Sequence, residues 1–244
     1  MTVEVIMMQG SGGGLVTRFA DGFDTQITNG LGDNWAYQGT MYTTTNGAFA
    51  HIGPIGVTAG QLDIRANAVN STMADQLIGF VPIPNYLGIR TRNQFAQIKF
   101  INCNSLAGSV REIAAGPSIL GRWNVIAGTG FYSQYHLRID YYPATPAAQI
   151  WTLFRVDGGG FNQLAIGGAS SVAINDVFRI EGRVNVGSTN VIVQKNGVEI
   201  ANVNDASANR CTGGNPGMYR SLYVTNAVSP SSQILFDDFL CDAL

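Results

Sequence analysis

The stretch Val177–Val203, VFRIEGRVNVGSTNVIVQKNGVEIANV, decides the fold. Phe178, Ile180, Val184 and Val186 share one parity, while Arg179, Glu181 and Arg183 share the other. An apolar/charged period of two marks a strand with one buried and one solvated face. Gly187-Ser188 then breaks the run, and Asn190–Lys195 resumes it. Asn196-Gly197 precedes a further run, Val198–Val203. Asn-Gly between two apolar runs is a hairpin signal, because a type I′ turn needs positive φ at both central residues. The stretch therefore predicts a three-stranded antiparallel meander.

Working outward, the same pattern predicts strands over 94–102, 123–131, 133–142, 149–156, 218–225 and 233–241. In 133–142, Tyr135, Leu137, Ile139 and Tyr141 alternate with His136, Arg138 and Asp140. Gly158-Gly159-Gly160 reads as the turn of a hairpin between 149–156 and 161–166. Strands following one another with turn signals at this rate predict an all-β sandwich or barrel. Ser109–Glu112 is a capping-box pattern and predicts a short helix at 110–115; 71–78 is a second candidate, so at most one or two short helices are expected.

Composition narrows the function classes. Of 244 residues, 14 are Lys or Arg and 16 are Asp or Glu, a net charge of −2, which excludes a strongly basic nucleic-acid binder. Only 12% of residues are charged, about half the usual share. Lysine stands only at Lys99 and Lys195, and there are 30 glycines. No run of about 18 apolar residues predicts a transmembrane helix. MTVEVIMM lacks the basic start of a signal peptide. Cys103, Cys211 and Cys241 have neither disulfide-framework nor zinc spacing and read as free thiols. Residues 1–14, ending in Gln9-Gly10-Ser11-Gly12-Gly13-Gly14, read as an arm and glycine-rich linker before one domain, 15–244.

Three places carry a resemblance. Phe19-Ala20-Asp21-Gly22-Phe23-Asp24 is followed by Leu31-Gly32-Asp33-Asn34-Trp35; Phe178–Val186 runs into Ile192–Ile200; and the chain nears its end with Ile234-Leu235-Phe236-Asp237-Asp238-Phe239. This resembles the concanavalin A-like lectin/glucanase jelly roll in its laminin G-like form. The resemblance implies a β-sandwich whose first and last strands lie side by side. Shortage of lysine, abundance of glycine and the short arm also resemble, in style, virion proteins of bacteriophages.

Glycoside hydrolysis normally needs two facing carboxylates. The E-x-D-x-E pattern that glucanases of this resemblance carry is absent, and the glutamates are Glu4, Glu112, Glu181 and Glu199. Arg179 and Arg183 flank Glu181 two residues away on each side and would hold it ionised, the wrong state for a general acid. His51 and His136 lie far from any G-x-S-x-G elbow. His136, Arg138 and Asp140 project from one face, as a polar recognition patch or as a salt-bridge ladder. Asp21, Asp24, Asp237 and Asp238 could gather a structural Ca2+ if the end strands pair, or serve as ordinary turn residues. Sugar-stacking candidates are Trp35, Tyr37, Tyr42, Tyr141, Tyr142 and Trp151. The turn-rich stretch 209–217 predicts a long loop.

These readings predict a non-catalytic virion structural protein, a capsid decoration or a tail or fibre component made in the host cytoplasm. It would dock on other virion proteins and on further copies of itself through Val3, Val5, Ile6, Met7 and Met8, and could meet host glycans through Trp35, Tyr142, His136, Arg138 and Asp140. No catalytic residue, no nucleic acid and no membrane insertion are expected. The alternative is a lectin or carbohydrate-binding module, and behind it a glycan hydrolase with an atypical site.

Overall fold

The computed structural model describes residues 18–24, 35–38, 55–65, 76–82, 92–104, 113–123, 132–141, 147, 149–157, 160–222 and 233–244. Its strands are β1 (Phe19–Asp21), β2 (Trp35–Gln38), β3 (Ile55–Thr58), β4 (Gln61–Arg65), β5 (Gln76–Pro82), β6 (Asn93–Asn104), β7 (Ile113–Trp123), β8 (Tyr132–Asp140), β9 (Ile150–Asp157), β10 (Gly160–Ile166), β11 (Val177–Val184), β12 (Thr189–Lys195), β13 (Val198–Asp205), β14 (Asn215–Leu222) and β15 (Gln233–Ala243). They form two antiparallel sheets. One has eight strands in the order β13-β12-β11-β6-β15-β4-β3, with β1 also on β15; the other has seven, β10-β9-β8-β7-β14-β5-β2. This is the jelly-roll sandwich that the resemblance implies, and its first and last strands do pair, Phe19 opposite Cys241 and Asp21 opposite Phe239.

The meander read from Val177–Val203 is β11-β12-β13. Ile180 lies opposite Val193 and Phe178 opposite Lys195. Asn196 and Gly197 have φ of 52° and 79°, as a type I′ turn demands. The apolar parity of each strand faces the other sheet. Phe178, Ile180, Val191, Val193, Phe100 and Phe236 from one layer meet Tyr135, Leu137, Ile139, Leu153, Ile119 and Met218 from the other. Burying a side chain of this size contributes about 1.5–3 kcal/mol relative to exposure. The three cysteines are buried free thiols.

Several sequence expectations are corrected. The stretch 113–115 belongs to β7, not to a helix at 110–115, and 76–78, the part of the second helix candidate that lies within the described residues, belongs to β5. A capping box is a local preference, and here pairing with β8 and β14 overrides it. Within 123–131 only Trp123 is described, and it ends β7. The loop expected over 209–217 is shorter, since β14 starts at Asn215. It is also tied down: the Cys211 N–H donates to the Tyr135 hydroxyl, and the Gly214 carbonyl accepts from Gln94. The arm residues Val3, Val5, Ile6, Met7 and Met8 lie outside the described residues, as does the Gly158-Gly159 turn; β9 and β10 pair antiparallel on either side of it.

Gly116 and Pro117 sit inside β7, a central strand where proline is unusual. The ladder to β8 runs from Ala115 opposite Ile139 to Ser118 opposite His136, stepping past both. A Cβ at position 116 would collide with the Leu137 carbonyl. Glycine is thus required by the close approach of two backbones. Gly116→Ala is expected to lower unfolding stability by about 1–3 kcal/mol, measured by urea titration; an unchanged midpoint would contradict this close approach.

Candidate functional site

Because β8 alternates, placing Tyr135, Leu137 and Ile139 in the core puts Gln134, His136, Arg138 and Asp140 on the outer face of the seven-stranded sheet. On β9, Trp151 and Leu153 point inward, so Thr152, Phe154 and Val156 point outward. They lie opposite Arg138, His136 and Gln134. Ser118 of β7 faces His136 from the other side, and Phe161 of β10 lies opposite Val156. One polar row along β8 is therefore flanked by a partly aromatic row along β9.

The contacts are specific. The His136 ring lies 5.3 Å from Phe154 and 5.9 Å from Phe161, and the two phenyl rings meet edge to face at 5.9 Å. The Arg138 guanidinium stands 5.1 Å from the centre of the Phe154 ring, and its Nε donates to Asp140 Oδ2 at 2.9 Å. Gln134 Nε2 lies 3.4 Å from His136 Nδ1. Gln134, His136, Asp140, Thr152 and Ser118 are all buried, and the Arg138 side chain keeps 16% of its surface exposed. Gln134 Oε1 and Thr152 Oγ1 are buried without a hydrogen-bond partner among the described residues. Burial holds His136 in its neutral form, well below the ordinary imidazole pKa, and the charge of Arg138 adds to that.

Tyr135, between Gln134 and His136, fixes this row from behind. Its hydroxyl donates to Asp205 Oδ2 at 2.7 Å, across to the end of β13 in the other sheet. Arg155 Nη1 bonds both oxygens of Asp205 at 2.9 and 3.0 Å, and its Nε bonds Asp157 at 2.7 Å. Burial would raise the Asp205 carboxyl, but hydrogen bonds from Tyr135, the Ser207 N–H and Arg155 outweigh it and hold it low. Burial and the bond to Asp205 push the Tyr135 phenol up, so it stays a donor. Burial also pushes the Cys211 thiol up to about 12, which leaves it unreactive.

Of the sequence candidates, His136, Arg138 and Asp140 are brought together; Arg138 and Asp140 pair along one strand rather than across two. Trp35 and Tyr37 lie on β2, with Trp35 opposite Pro82. Tyr42, Tyr142 and His51 lie outside the described residues. Trp151 is core, and Tyr141 packs on Phe100, so neither offers a stacking surface on this face. Glu181 is on the outer face of the other sheet, held by Arg179 at 2.7 Å and Arg183 at 3.1 Å, and cannot join Asp140. On the end strands, Asp21 accepts from the Phe23 N–H and Asp237 from the Asp238 N–H, while Asp238 lies 3.8 Å from Lys99. Burial raises the Asp237 pKa, and the charges of Asp238 and Asp24 add to this. Among the described residues, no three His, Cys, Asp or Glu side chains gather to hold a metal ion. Sequence reasoning missed Gln134, Thr152, Phe154 and Phe161, although Gln134 shares the parity of His136.

The burial of neutral His136 sets a pH dependence. Its folded pKa lies below its unfolded value, so acid protonates the unfolded chain first. Stability is complete above about 6.5 and falls by about 1.4 kcal/mol per pH unit below it, until the folded pKa is reached. Replacing His136 with Phe is expected to flatten that slope in denaturant titrations between pH 7 and pH 5. An identical slope in the variant would contradict the buried neutral imidazole.

No known protein family matches the sequence, and no curated protein is detectably similar to it. Solved structures do match the fold. A prokaryotic β-1,3-1,4-glucanase (lichenase) derived from a mouse hindgut metagenome has a TM-score of 0.58 at 11% identity, covering 94% of this chain and 100% of its own. The Bacillus licheniformis β-glucanase scores 0.54 at 8% identity, covering 94% and 99%. SCLam, a non-specific endo-β-1,3(4)-glucanase of glycoside hydrolase family 16, scores 0.54 at 8% identity, covering 93% and 90%. The expectation of a non-catalytic protein is corrected by these matches: the architecture, end to end, is one that glycan hydrolases use, and a missing E-x-D-x-E pattern does not exclude catalysis on it. Nothing in the matches supports a place in a virus particle. At these identities the likeness shows the fold, a concanavalin A-like jelly-roll β-sandwich, and the fold is consistent with carbohydrate binding.

Proposed function

We propose that the chain binds a β-linked glucan on the outer face of its seven-stranded sheet and cleaves it there. The observation that carries this reading is the row Gln134, His136, Arg138 and Asp140 beside Thr152 and Phe154. Polar groups are concentrated at the middle of one face, and two of their buried oxygen atoms, Gln134 Oε1 and Thr152 Oγ1, lack partners. Leaving such an atom unpaired costs about 1–3 kcal/mol. A sugar bears hydroxyl groups that donate and accept, and aromatic rings such as Phe154 and Phe161 suit its apolar C–H faces. Likeness of fold to glucanases favours a β-glucan among polysaccharides.

The reacting groups follow from the same face. Among the described residues it carries one carboxylate, Asp140, and one imidazole, His136. Asp140 takes a proton from the water that attacks the anomeric carbon, the glycosidic C–O bond breaks, and the departing sugar oxygen takes its proton from solvent, with Arg138 as the positioning counter-charge of Asp140. Arg138, the member of the row that reaches solvent, orients the chain of sugars.

Release of reducing ends from mixed-linkage β-1,3-1,4-glucan and from a β-1,3-glucan tests the reading. Asp140→Asn is expected to reduce turnover by about 100-fold or more while retaining binding. Arg138→Ala is expected to weaken binding. Turnover unchanged in Asp140→Asn, or no β-glucan bound by the parent chain, would overturn the proposal.

A further inference from the structure

We propose that Asn196 is a site of spontaneous modification, its side-chain amide passing to a carboxylate whenever the hydrogen bonds that hold it are broken. Asn196-Gly197 carries the chemistry in its sequence, and both residues are exposed to water. The Gly197 backbone nitrogen attacks Cγ of Asn196 and gives up its proton to solvent. The Cγ–Nδ2 bond breaks, and the departing nitrogen takes up a proton and leaves as ammonia. Water then opens the cyclic imide at either carbonyl, which leaves aspartate or its β-linked isomer. The sum is an amide and a water giving a carboxylic acid and ammonia, with no oxidant. Glycine suits the first step because no Cβ stands beside the attacking nitrogen.

The fold holds that reaction shut. The Asn196 N–H donates to the Val177 carbonyl, and the Val177 N–H donates to Asn196 Oδ1, both at 2.8 Å. The side-chain carbonyl thus stands in for a backbone carbonyl and carries the β11–β12 ladder one pair past Phe178 and Lys195. Asn196 Nδ2 donates to Asp176 Oδ1, also at 2.8 Å. Asp176 is buried and fixed in its own turn. Its Oδ2 accepts from the Ala173 N–H at 2.7 Å and lies 3.4 Å from Lys195 Nζ, and its carbonyl accepts from the Phe100 N–H of β6. Both ends of the amide are tied, so Cγ reaches the Gly197 nitrogen only after two hydrogen bonds break, one of them to a carboxylate.

Modification does not leave the turn intact. The product carboxylate can still accept from Val177 but has no donor for Asp176. Two carboxylates then face one another where a hydrogen bond stood, with Lys195 beside them. The β-linked isomer also inserts a backbone carbon into a two-residue turn whose φ values are 52° and 79°. Either product weakens the junction of β11, β12 and the Asp176 turn.

Peptide-resolved mass spectrometry of the full chain after incubation in mildly alkaline buffer is the test. It separates Asn196 from the Asn-Gly pairs at 29–30 and 46–47, which lie outside the described residues. Conversion at Asn196 is expected to be about 10-fold or more slower in the folded chain than in urea, since two hydrogen bonds must open first. Asp176→Ala is expected to speed conversion in chain that remains folded, whereas Gly116→Ala, a change in the other sheet, leaves the rate as it is. Asn196→Asp is expected to lower the urea midpoint, and adding Asp176→Asn to raise it again, the amide and the carboxylate having exchanged places. Equal rates in the folded and unfolded chain overturn the inference, and that comparison stands even if Asp176→Ala does not fold. So does a rate that Asp176→Ala leaves unmoved or that Gly116→Ala raises as much, or an Asn196→Asp midpoint that matches the parent's or gains nothing from Asp176→Asn.

Discussion

The hydrogen bond from the Tyr135 hydroxyl to Asp205, 2.7 Å long and wholly buried, is the constraint on which the rest depends. It joins the middle of β8 in one sheet to the end of β13 in the other, and Arg155 completes it from β9. Fixing Tyr135 inward fixes the parity of β8, because a slip of one residue would exchange its faces. Gln134, His136, Arg138 and Asp140 then have only the outer face to occupy. A buried ion pair of this sort adds little net stability. Its effect is to specify one register among those that apolar alternation alone would permit.

The two outer faces show opposite solutions to the burial of charge. On the eight-stranded sheet, Glu181 is held by Arg179, Arg183 and Gln194, and Arg179 stacks 3.5 Å from the centre of the Phe95 ring. Both oxygens of the Glu181 carboxylate are thus paired, and the cluster reads as structure. On the seven-stranded sheet, Arg138 and Asp140 satisfy one another in part, while Gln134 Oε1 and Thr152 Oγ1 are left over. Packing against Phe154 and Phe161 keeps the imidazole dry and neutral. Sites where a protein retains unsatisfied polar groups at a cost of kilocalories are the places to look for a ligand.

Much of the fold is legible in the sequence because period-two alternation and Asn196-Gly197 are local signals with a direct physical cause. The pairing of β1 with β15 came from the resemblance and not from spacing, since strands so far apart leave no local mark. Ser109–Glu112 misleads for the converse reason: a capping preference is small beside the ladders that β8 and β14 provide. The site was half legible. Parity in 133–142 placed His136, Arg138 and Asp140 together, but Phe154 and Thr152 join them only through the register of β8 with β9. The missing E-x-D-x-E pattern does not decide whether the chain is catalytic, because a fold does not fix the arrangement of its reacting groups.

The most direct test is amide hydrogen exchange of the full chain with and without a soluble mixed-linkage β-glucan oligosaccharide. Binding at the outer face of the seven-stranded sheet predicts new protection over β8 and β9, around Gln134–Asp140 and Thr152–Val156, with β11 and β12 unchanged. Protection confined to β11 and β12, around Arg179–Arg183, or none on either sheet, would contradict it.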